Sequence, residues 1–341
     1  APLDTVSYSW QIAGGSMSIA SSWDNLRMAG ATAKDMIKQA ASSAWSVPVT
    51  ELTTENGVVY HKASSKSGGY RDFAAAASTI DVPKEVKLKE PKDFKIIGSS
   101  KKNVDGKKIV TGQPLFGLDY KAEGMKIAMI IHPPAFGLKL KSFDADEAKA
   151  MPGISDIFSM TTYQDDYKRS WSDAISFNEQ IVVVGNSTWQ VLNAKKAVRA
   201  EWEPIQSTKY AVSGWGGDSE VKVPSGLESS DLHFESMKNQ ISKTSKVIRK
   251  DGNPVEAFKK AVKVLEKSYS CPFLAHNTME PMNFFADVKD DKAILVGPVQ
   301  TPESMEKSAA ARLGLPLENI EVHLTRMGGG FGRRLYGHFL V

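Results

Sequence analysis

A mixed α/β fold, of the α+β kind, is predicted by this sequence on three observations. After Leu295 the order is strand, helix, strand, the pattern of an α/β layer. Between Ile109 and Pro204, short apolar strands alternate with short helical segments. Near the carboxyl end, Ile320, Val322 and Leu324 share one face while Glu321, His323 and Thr325 share the other, the period of a β-strand. A length of 341 residues is enough to bury a sizeable core in two or three modules, and 41% hydrophobic with 24% charged residues is an ordinary globular composition.

The elements follow in chain order. Leu26 to Ala44 is rich in Ala, Met, Lys and Gln, with Met28, Met36, Ile37 and Ala40 near helical spacing, and Asp24 or Ser22 is placed to cap it. Thr50 to His61 reads as a strand pair turned at Asn56-Gly57, and Tyr70 to Ser78 as a short helix. Pro91 to Lys108 is basic and turn-rich, a linker. Next come a strand at Lys126 to His132, a helix at Asp144 to Ala150, and a buried strand at Ile181 to Val184. An amphipathic helix at Ser187 to Arg199 and a strand at Ala200 to Glu203 close that stretch. Ile205 to Asn253 is polar and glycine- and serine-bearing, an exposed insertion with one helix around Ser229 to Ser242. The last part holds a helix at Val255 to Lys263, a strand at Val264 to Ser270 and a strand pair across Ala286 to Val296 turned at Asp290-Asp291. A helix at Glu303 to Leu313 and a strand at Ile320 to Arg326 complete it.

Composition removes several classes of function. The formal charge is +4 and lysines are interleaved with acids, so the faces are solvated and no nucleic-acid groove is expected. No apolar run approaches the ~20 residues of a membrane span. The one cysteine, Cys271, allows neither an internal disulfide nor a cysteine-held iron–sulfur cluster, and beside Pro272 and Phe273 it reads as a small buried hydrophobe.

The most distinctive stretch is Gly328-Gly329-Gly330-Phe331-Gly332-Arg333-Arg334. Glycines are kept at such density where the chain must turn sharply or approach a ligand closely. A strand that empties into a glycine loop presents backbone N–H groups to anions, and Arg333 and Arg334 suit phosphate by forked hydrogen bonding. The loop lacks the Lys-Ser/Thr ending of a P-loop, and Arg333 stands where the last glycine of a dinucleotide fingerprint belongs. On its own it is as good a surface loop as an anion cradle. Gln300 follows a strand and precedes a helix, a place where ligands bind in α/β folds but also where a turn or cap residue sits. Gly14, Gly15, Ser16, Ser18 and Ser21 are either a polar turn or a phosphate-suited helix start. His276 and Glu280 have acid–base spacing, but Pro281 argues against a regular helix there, and a structural role for the pair outweighs a catalytic one.

With Pro298-Val299-Gln300-Thr301, Ala275-His276-Asn277-Thr278-Met279-Glu280-Pro281-Met282-Asn283, Gly14-Gly15-Ser16 and Ser21-Ser22-Trp23 beside it, the loop makes a recognisable set. The chain resembles the molybdopterin-binding large subunit of the xanthine dehydrogenase and aldehyde oxidase family, nearest to the isoquinoline 1-oxidoreductase β subunits and bacterial aldehyde dehydrogenases. The resemblance implies an α/β hammerhead-like domain at 109–204 between two segments of a molybdopterin-binding domain, 1–93 and 254–341, with a linker at 94–108 and the polar insertion at 205–253. It also implies that Gln300 contacts an oxo group of the molybdenum centre and that Phe331 closes the pocket beside the metal. By the same resemblance Gly329, Gly330 and Gly332 are expected to bring backbone amides to the cofactor, with Arg333 beside them, and Gly15, Ser16, Ser18 and Ser21 to wrap the pterin and its pyrophosphate.

The implied cofactor is molybdopterin, as the cytosine dinucleotide, carrying molybdenum. The implied substrates are an aldehyde or an N-heterocycle, oxidised with water as oxygen source, and the implied electron acceptor is a small iron–sulfur subunit. A periplasmic site is favoured over a cytoplasmic one by resemblance alone. The family's Gly-Gln-Gly turn and its general-base Glu have no counterpart between Ala1 and Val341, so a fragment, inactive by itself, is the expectation, with cofactor binding to it left open. The alternative is a cofactor-free scaffold that keeps the fold. An ordinary nucleotide-dependent oxidoreductase is disfavoured by the glycine spacing.

Overall fold

The computed structural model describes residues 11–162, 169–170, 179–214, 217–241, 243 and 246–335. The chain forms two compact units, one of Ala13–Gln113 and the other of Ala1–Ile12 with Pro114–Val341.

In the first unit a 28-residue helix, α1 (Ser18–Trp45), precedes β1 (Leu52–Glu55), β2 (Val58–His61), β3 (Lys66–Gly69), α2 (Tyr70–Ala77) and α3 (Gly106–Val110). Helix α1 starts well before the sequence placed it. Gly15 and Ser16 both have positive φ, Met17 donates back to the Gly14 carbonyl, and Met17 becomes the uncapped N-cap. Ser21 bonds the Met17 carbonyl from inside the helix, so these serines are helix residues and not caps. Asn56 and Gly57 turn β1 into β2 at positive φ, as the sequence predicts. Strand β3 has no apolar alternation to announce it. It forms by antiparallel pairing with β2, and Gly68 is required because a Cβ there would stand 2.8 Å from the Phe73 ring. Ala40, Ala41, Leu52, Val59, Phe73 and Ala77 make the core of this unit. Arg27 stacks on Trp23 and Phe94 and donates to the Lys89 carbonyl, which draws the turn-rich segment back onto α1.

The second unit contains two cores. Strands β4 (Ile127–Ile131), β5 (Leu138–Asp144) and β6 (Ile154–Thr161) come first, with α4 (Asp146–Lys149) between the last two. They are followed by β7 (Arg169–Ser170), β8 (Glu179–Gly185), α5 (Thr188–Ala197) and β9 (Arg199–Pro204). Strand β8 is central in the antiparallel sheet β4-β8-β6, which explains its unbroken apolar run: Ile181 and Val183 are fully buried, one face on α5. Ser187 caps α5 by accepting from the Gln190 amide.

The polar stretch after Pro204 contains more than the predicted helix. Strands β10 (Thr208–Gly214) and β11 (Gly217–Val223) form an antiparallel hairpin before α6 (Ser230–Ile241), whose predicted end, Ser242, lies outside the described residues. The hairpin was hidden because only one face alternates weakly, Tyr210 and Val212 against Val221 and Val223. After α7 (Pro254–Lys260), the predicted strand Val264 to Ser270 is not a strand. Its β-competent residues find no partner strand among the described residues, and a lone strand leaves its backbone groups unpaired. Tyr269 is 91% exposed there, and Cys271, expected in a core, is exposed for the same reason.

The second core of this unit carries the candidate site. Strands β12 (Phe285–Val288), β13 (Ala293–Gly297) and β14 (Ile320–Leu324) form a sheet in which β13 is central, antiparallel to β12 and parallel to β14. Helix α8 (Pro302–Leu313) makes the crossover and packs Met305, Ala309 and Ala310 onto Leu295, Ile320 and Val322. No helix among the described residues is long and apolar enough to cross a membrane.

Met305 is fully buried in this core. Met305→Ala is expected to lower unfolding free energy in urea by about 2–5 kcal/mol. Tyr269→Ala, in the unpaired segment, should change it by less than about 0.5 kcal/mol.

Candidate functional site

Parallel pairing of β13 with β14 puts both carboxyl ends on one edge, with Gly297 opposite Leu324. The segment Pro298–Thr301 leaves one end and the glycine loop leaves the other. Gly297 itself is pressed against the Phe284 ring, where a Cβ would lie 2.2 Å from a ring carbon. Beyond β14 the chain keeps pairing: Arg326 donates to the Leu115 carbonyl at 2.9 Å and bridges Phe116. The turn at 115–119 therefore joins the edge. Asp119 closes it by accepting from the Leu115 and Phe116 amides, both at 3.0 Å, and those bonds, that from Phe116 foremost, hold its carboxyl below the usual range.

The loops are tied together by one carboxylate. Glu280 is buried, and its Oε1 accepts from the Gly117 amide at 2.9 Å, the Leu118 amide at 3.4 Å and Asn283 Nδ2 at 3.0 Å. Its Oε2 accepts from the Gly328 amide at 2.8 Å and from Arg334 Nη2 at 3.2 Å. The same Nη2 donates to the Glu280 carbonyl at 2.8 Å, and Arg334 Nε donates to the Gly329 carbonyl at 2.8 Å. Arg334 has 0% of its surface exposed. Burial pushes its guanidinium down from its ordinary value, and the Glu280 charge opposes that.

This geometry corrects the reading of Arg334 as half of a phosphate fork, because the guanidinium points into protein and is spent on Glu280 and Gly329. It also gives Glu280 an occupation other than acid–base work, while His276 stays exposed. Arg333 is the half-buried guanidinium beside the loop. Its charge is felt by His132, which burial first, then Lys195 and Arg333, hold below the usual imidazole range. Lys195 donates to the Ile130 carbonyl at 2.7 Å, and burial lowers its ammonium as well. A positive edge from α5 thus adjoins the loop, a neighbour that nothing in the sequence separation of Lys195 and Arg333 announces.

Gln300, Gly329, Gly330, Phe331, Gly332 and Arg333 are brought together on this edge. The Gln300 amide donates to the Arg334 carbonyl at 2.9 Å, and Thr301 Oγ1 donates to the Leu335 carbonyl at 3.0 Å, so the start of α8 is laced to the end of the loop. A Cβ on Gly330 would lie 3.0 Å from Gln300 Oε1 and 2.9 Å from Met327 Sδ; the glycine lets backbone lie against that side chain. Gly329 and Gly332 take φ of 103° and 82°, and Phe331 itself takes 50° and is 69% exposed. A non-glycine residue at such a φ is costly and is kept where surroundings over-determine it. Among the described residues, the N–H groups of Gly329, Gly330, Phe331 and Gly332 donate to no protein acceptor. Gly15, Ser16, Ser18 and Ser21 lie in the other unit, at the start of α1.

On α8, Glu303 accepts from Lys307 Nζ at 2.7 Å and from the Gln11 amide at 3.1 Å. Glu306, one turn on, is buried with Oε2 unbonded among the described residues. Burial raises its carboxyl above the usual range; Lys307 opposes the rise and Glu303 adds to it.

Residues 233–340 match the family model of the molybdopterin cofactor-binding domain. The chain is 25% identical to the isoquinoline 1-oxidoreductase subunit beta of Brevundimonas diminuta, covering 94% of this chain and 42% of that protein. It is also 25% identical to the membrane-bound aldehyde dehydrogenase [pyrroloquinoline-quinone] of Gluconacetobacter polyoxogenes, covering 97% and 40%. The xanthine dehydrogenase molybdenum-binding subunit of Escherichia coli O157:H7 is 23% identical over 68% of this chain and 32% of its own length. The chain therefore spans about two fifths of the first two relatives. Among solved structures, quinoline 2-oxidoreductase from Pseudomonas putida 86 superposes with a TM-score of 0.46 at 19% identity, covering 71% of this chain and 32% of that one.

Two consequences can be measured on the site. A Cβ on Gly328 would stand 2.4 Å from Glu280 Cβ, so Gly328→Ala is expected to cost about 1–3 kcal/mol in a denaturant melt, by overpacking. For Glu306 the folded carboxyl titrates above the unfolded one, so ionisation opposes folding as pH rises through and beyond about 4.3. Glu306→Gln should raise Tm at pH 7 and give no gain below about pH 4. A gain of equal size at both pH values would show that burial of the charge is not its origin.

Proposed function

We propose that this chain, a relative of the molybdopterin-binding large subunits of the xanthine dehydrogenase and aldehyde oxidase family, forms part of a molybdenum hydroxylase and helps to hold its cofactor with the glycine loop and Gln300. The observation that carries the reading is the run of four backbone N–H groups, Gly329 to Gly332, which donate to no protein acceptor among the described residues, with Gly330 against the Gln300 side chain.

Those donors fit an oxygen-rich, anionic group. Successive amides in a loop with positive φ make a concavity for anions, and no Cβ blocks its floor at Gly329 and Gly330. Gln300 supplies an amide at the same edge, able to donate to one ligand oxygen and accept from another group. Arg333 and the adjoining Lys195 add positive charge. Phe331, exposed on its strained backbone, is an apolar surface against which a flat ligand can lie. Within its own unit, the start of α1 is the second anion-binding turn we assign. Gly15 and Ser16 bend the chain so that no side chain caps the first amides, and Ser18 and Ser21 bring hydroxyls.

When bound, molybdopterin supplies a two-electron acceptor for hydroxylation of an aldehyde or N-heterocycle carbon with oxygen from water. The residues of this chain bind and orient. The Glu280 carboxylate is occupied by five donors and Glu303 by two, so neither is assigned a proton-transfer role. The cofactor form proposed is the cytosine dinucleotide. The electron acceptor proposed is an iron–sulfur subunit; the one cysteine of this chain cannot itself build a cluster.

Protein carrying this sequence, purified from cells that make the cofactor, should contain stoichiometric molybdenum and release a fluorescent oxidised pterin on denaturation. Gln300→Ala and Gly330→Val should each weaken cofactor retention by about 10–100-fold while far-UV circular dichroism is unchanged. Folded protein with neither metal nor pterin would support the cofactor-free scaffold instead.

A further inference from the structure

We propose that Glu280 and Arg334 are positioning residues, a buried charge clamp whose task is to set the glycine loop and the Gln300 backbone in one binding-ready arrangement. The inference rests on the cofactor reading above only for its last readout.

Four segments that are remote in sequence meet at this pair. Glu280 Oε1 takes the amides of Gly117 and Leu118 with Asn283, and Oε2 takes the amide that opens the loop, at Gly328. Arg334 reaches back across the loop to the Gly329 carbonyl, so both ends of its first turn are fixed by one ion pair. The arginine's own carbonyl receives the Gln300 amide at 2.9 Å. Moving Arg334 therefore moves the loop and Gln300 together.

Stability does not explain the choice of residues. Arg334 is fully buried, and its Nη1 has no hydrogen-bond partner among the described residues. A desolvated donor left unsatisfied is a standing penalty, and a buried ion pair is often matched or bettered in stability by apolar residues of similar volume. What an apolar pair cannot supply is direction. The charge-assisted bonds specify which loop carbonyl, which loop amide and which turn must meet, and apolar contact specifies none of these. The loop also carries left-handed backbone at Phe331, which needs such over-determination.

The test is amide hydrogen exchange on the whole 341-residue chain, read separately for the hydrogen-bonded amides of the loop, Arg333 with Gln300, and for the sheet, 293–297 with 320–324. Glu280→Gln, Arg334→Lys and the double variant Glu280→Met/Arg334→Met are compared with the wild type. Exchange in the loop should accelerate at least about tenfold in all three while the sheet keeps its protection. The double variant, which strands no charge, should fold even if a single variant does not. Wild-type exchange in the loop of the double variant would overturn the proposal. So would loss of sheet protection in step with the loop, because the pair would then be an ordinary part of the core. In protein loaded with molybdopterin, the double variant should lose pterin at least about tenfold faster on dilution. A loosened loop with no pterin in the wild type would sink the cofactor reading and leave the clamp standing.

Discussion

The candidate site depends on a single carboxylate. Glu280 gathers two amides of the 115–119 turn, the Asn283 side chain, the amide that opens the glycine loop and a fully buried guanidinium. Remove it from the account and the loop has no fixed beginning, Arg334 is a buried charge without a counter-ion, and the Gln300 backbone loses its reference point. Buried ions are expensive to desolvate, so such an arrangement persists only when each lone pair and nearly each proton is used. Here each carboxylate oxygen is used, and one guanidinium nitrogen is not.

The sheet makes that convergence possible. A parallel β13–β14 pair joined through α8 aligns two carboxyl ends, so residues around 298–301 and 326–335 become neighbours although a helix separates them in sequence. Gly297 allows Phe284 to close underneath, Gly328 allows Glu280 to approach, and Gly330 allows backbone to lie against Gln300. Each of these glycines answers a steric demand from a different neighbour. The loop is consequently less a flexible segment than a short backbone scaffold in which the N–H groups of Gly329 to Gly332 donate to no protein acceptor among the described residues.

Periodic elements were legible. The Asn56-Gly57 hairpin, the buried run of β8, helices α2, α5 and α8 and the alternation of β14 all follow from local pattern, because a residue's burial there is set by spacing along its own element. Elements that exist only through their partner were not. Strand β3 is Lys-Ser-Gly-Gly and is a strand because β2 lies beside it; Val264 to Ser270 has strand composition and is none because nothing among the described residues pairs with it. The same division runs through the site. Gln300 and the glycines could be marked from the strand–loop–helix pattern, but Arg334 could not be told from Arg333.

The sequence by itself determined that a strand empties into a glycine loop, that a second strand–loop with Gln300 precedes it, and that a single cysteine leaves no cluster in the chain. Period and composition are local properties, and they suffice for that much. Only the tertiary structure decided which arginine is spent inside the protein, and that Glu280 is the knot between segments separated by 163 residues on one side and 48 on the other. The direction of a guanidinium is set by what folding brings within 3 Å of it, and that neighbour is not written next to it in the chain.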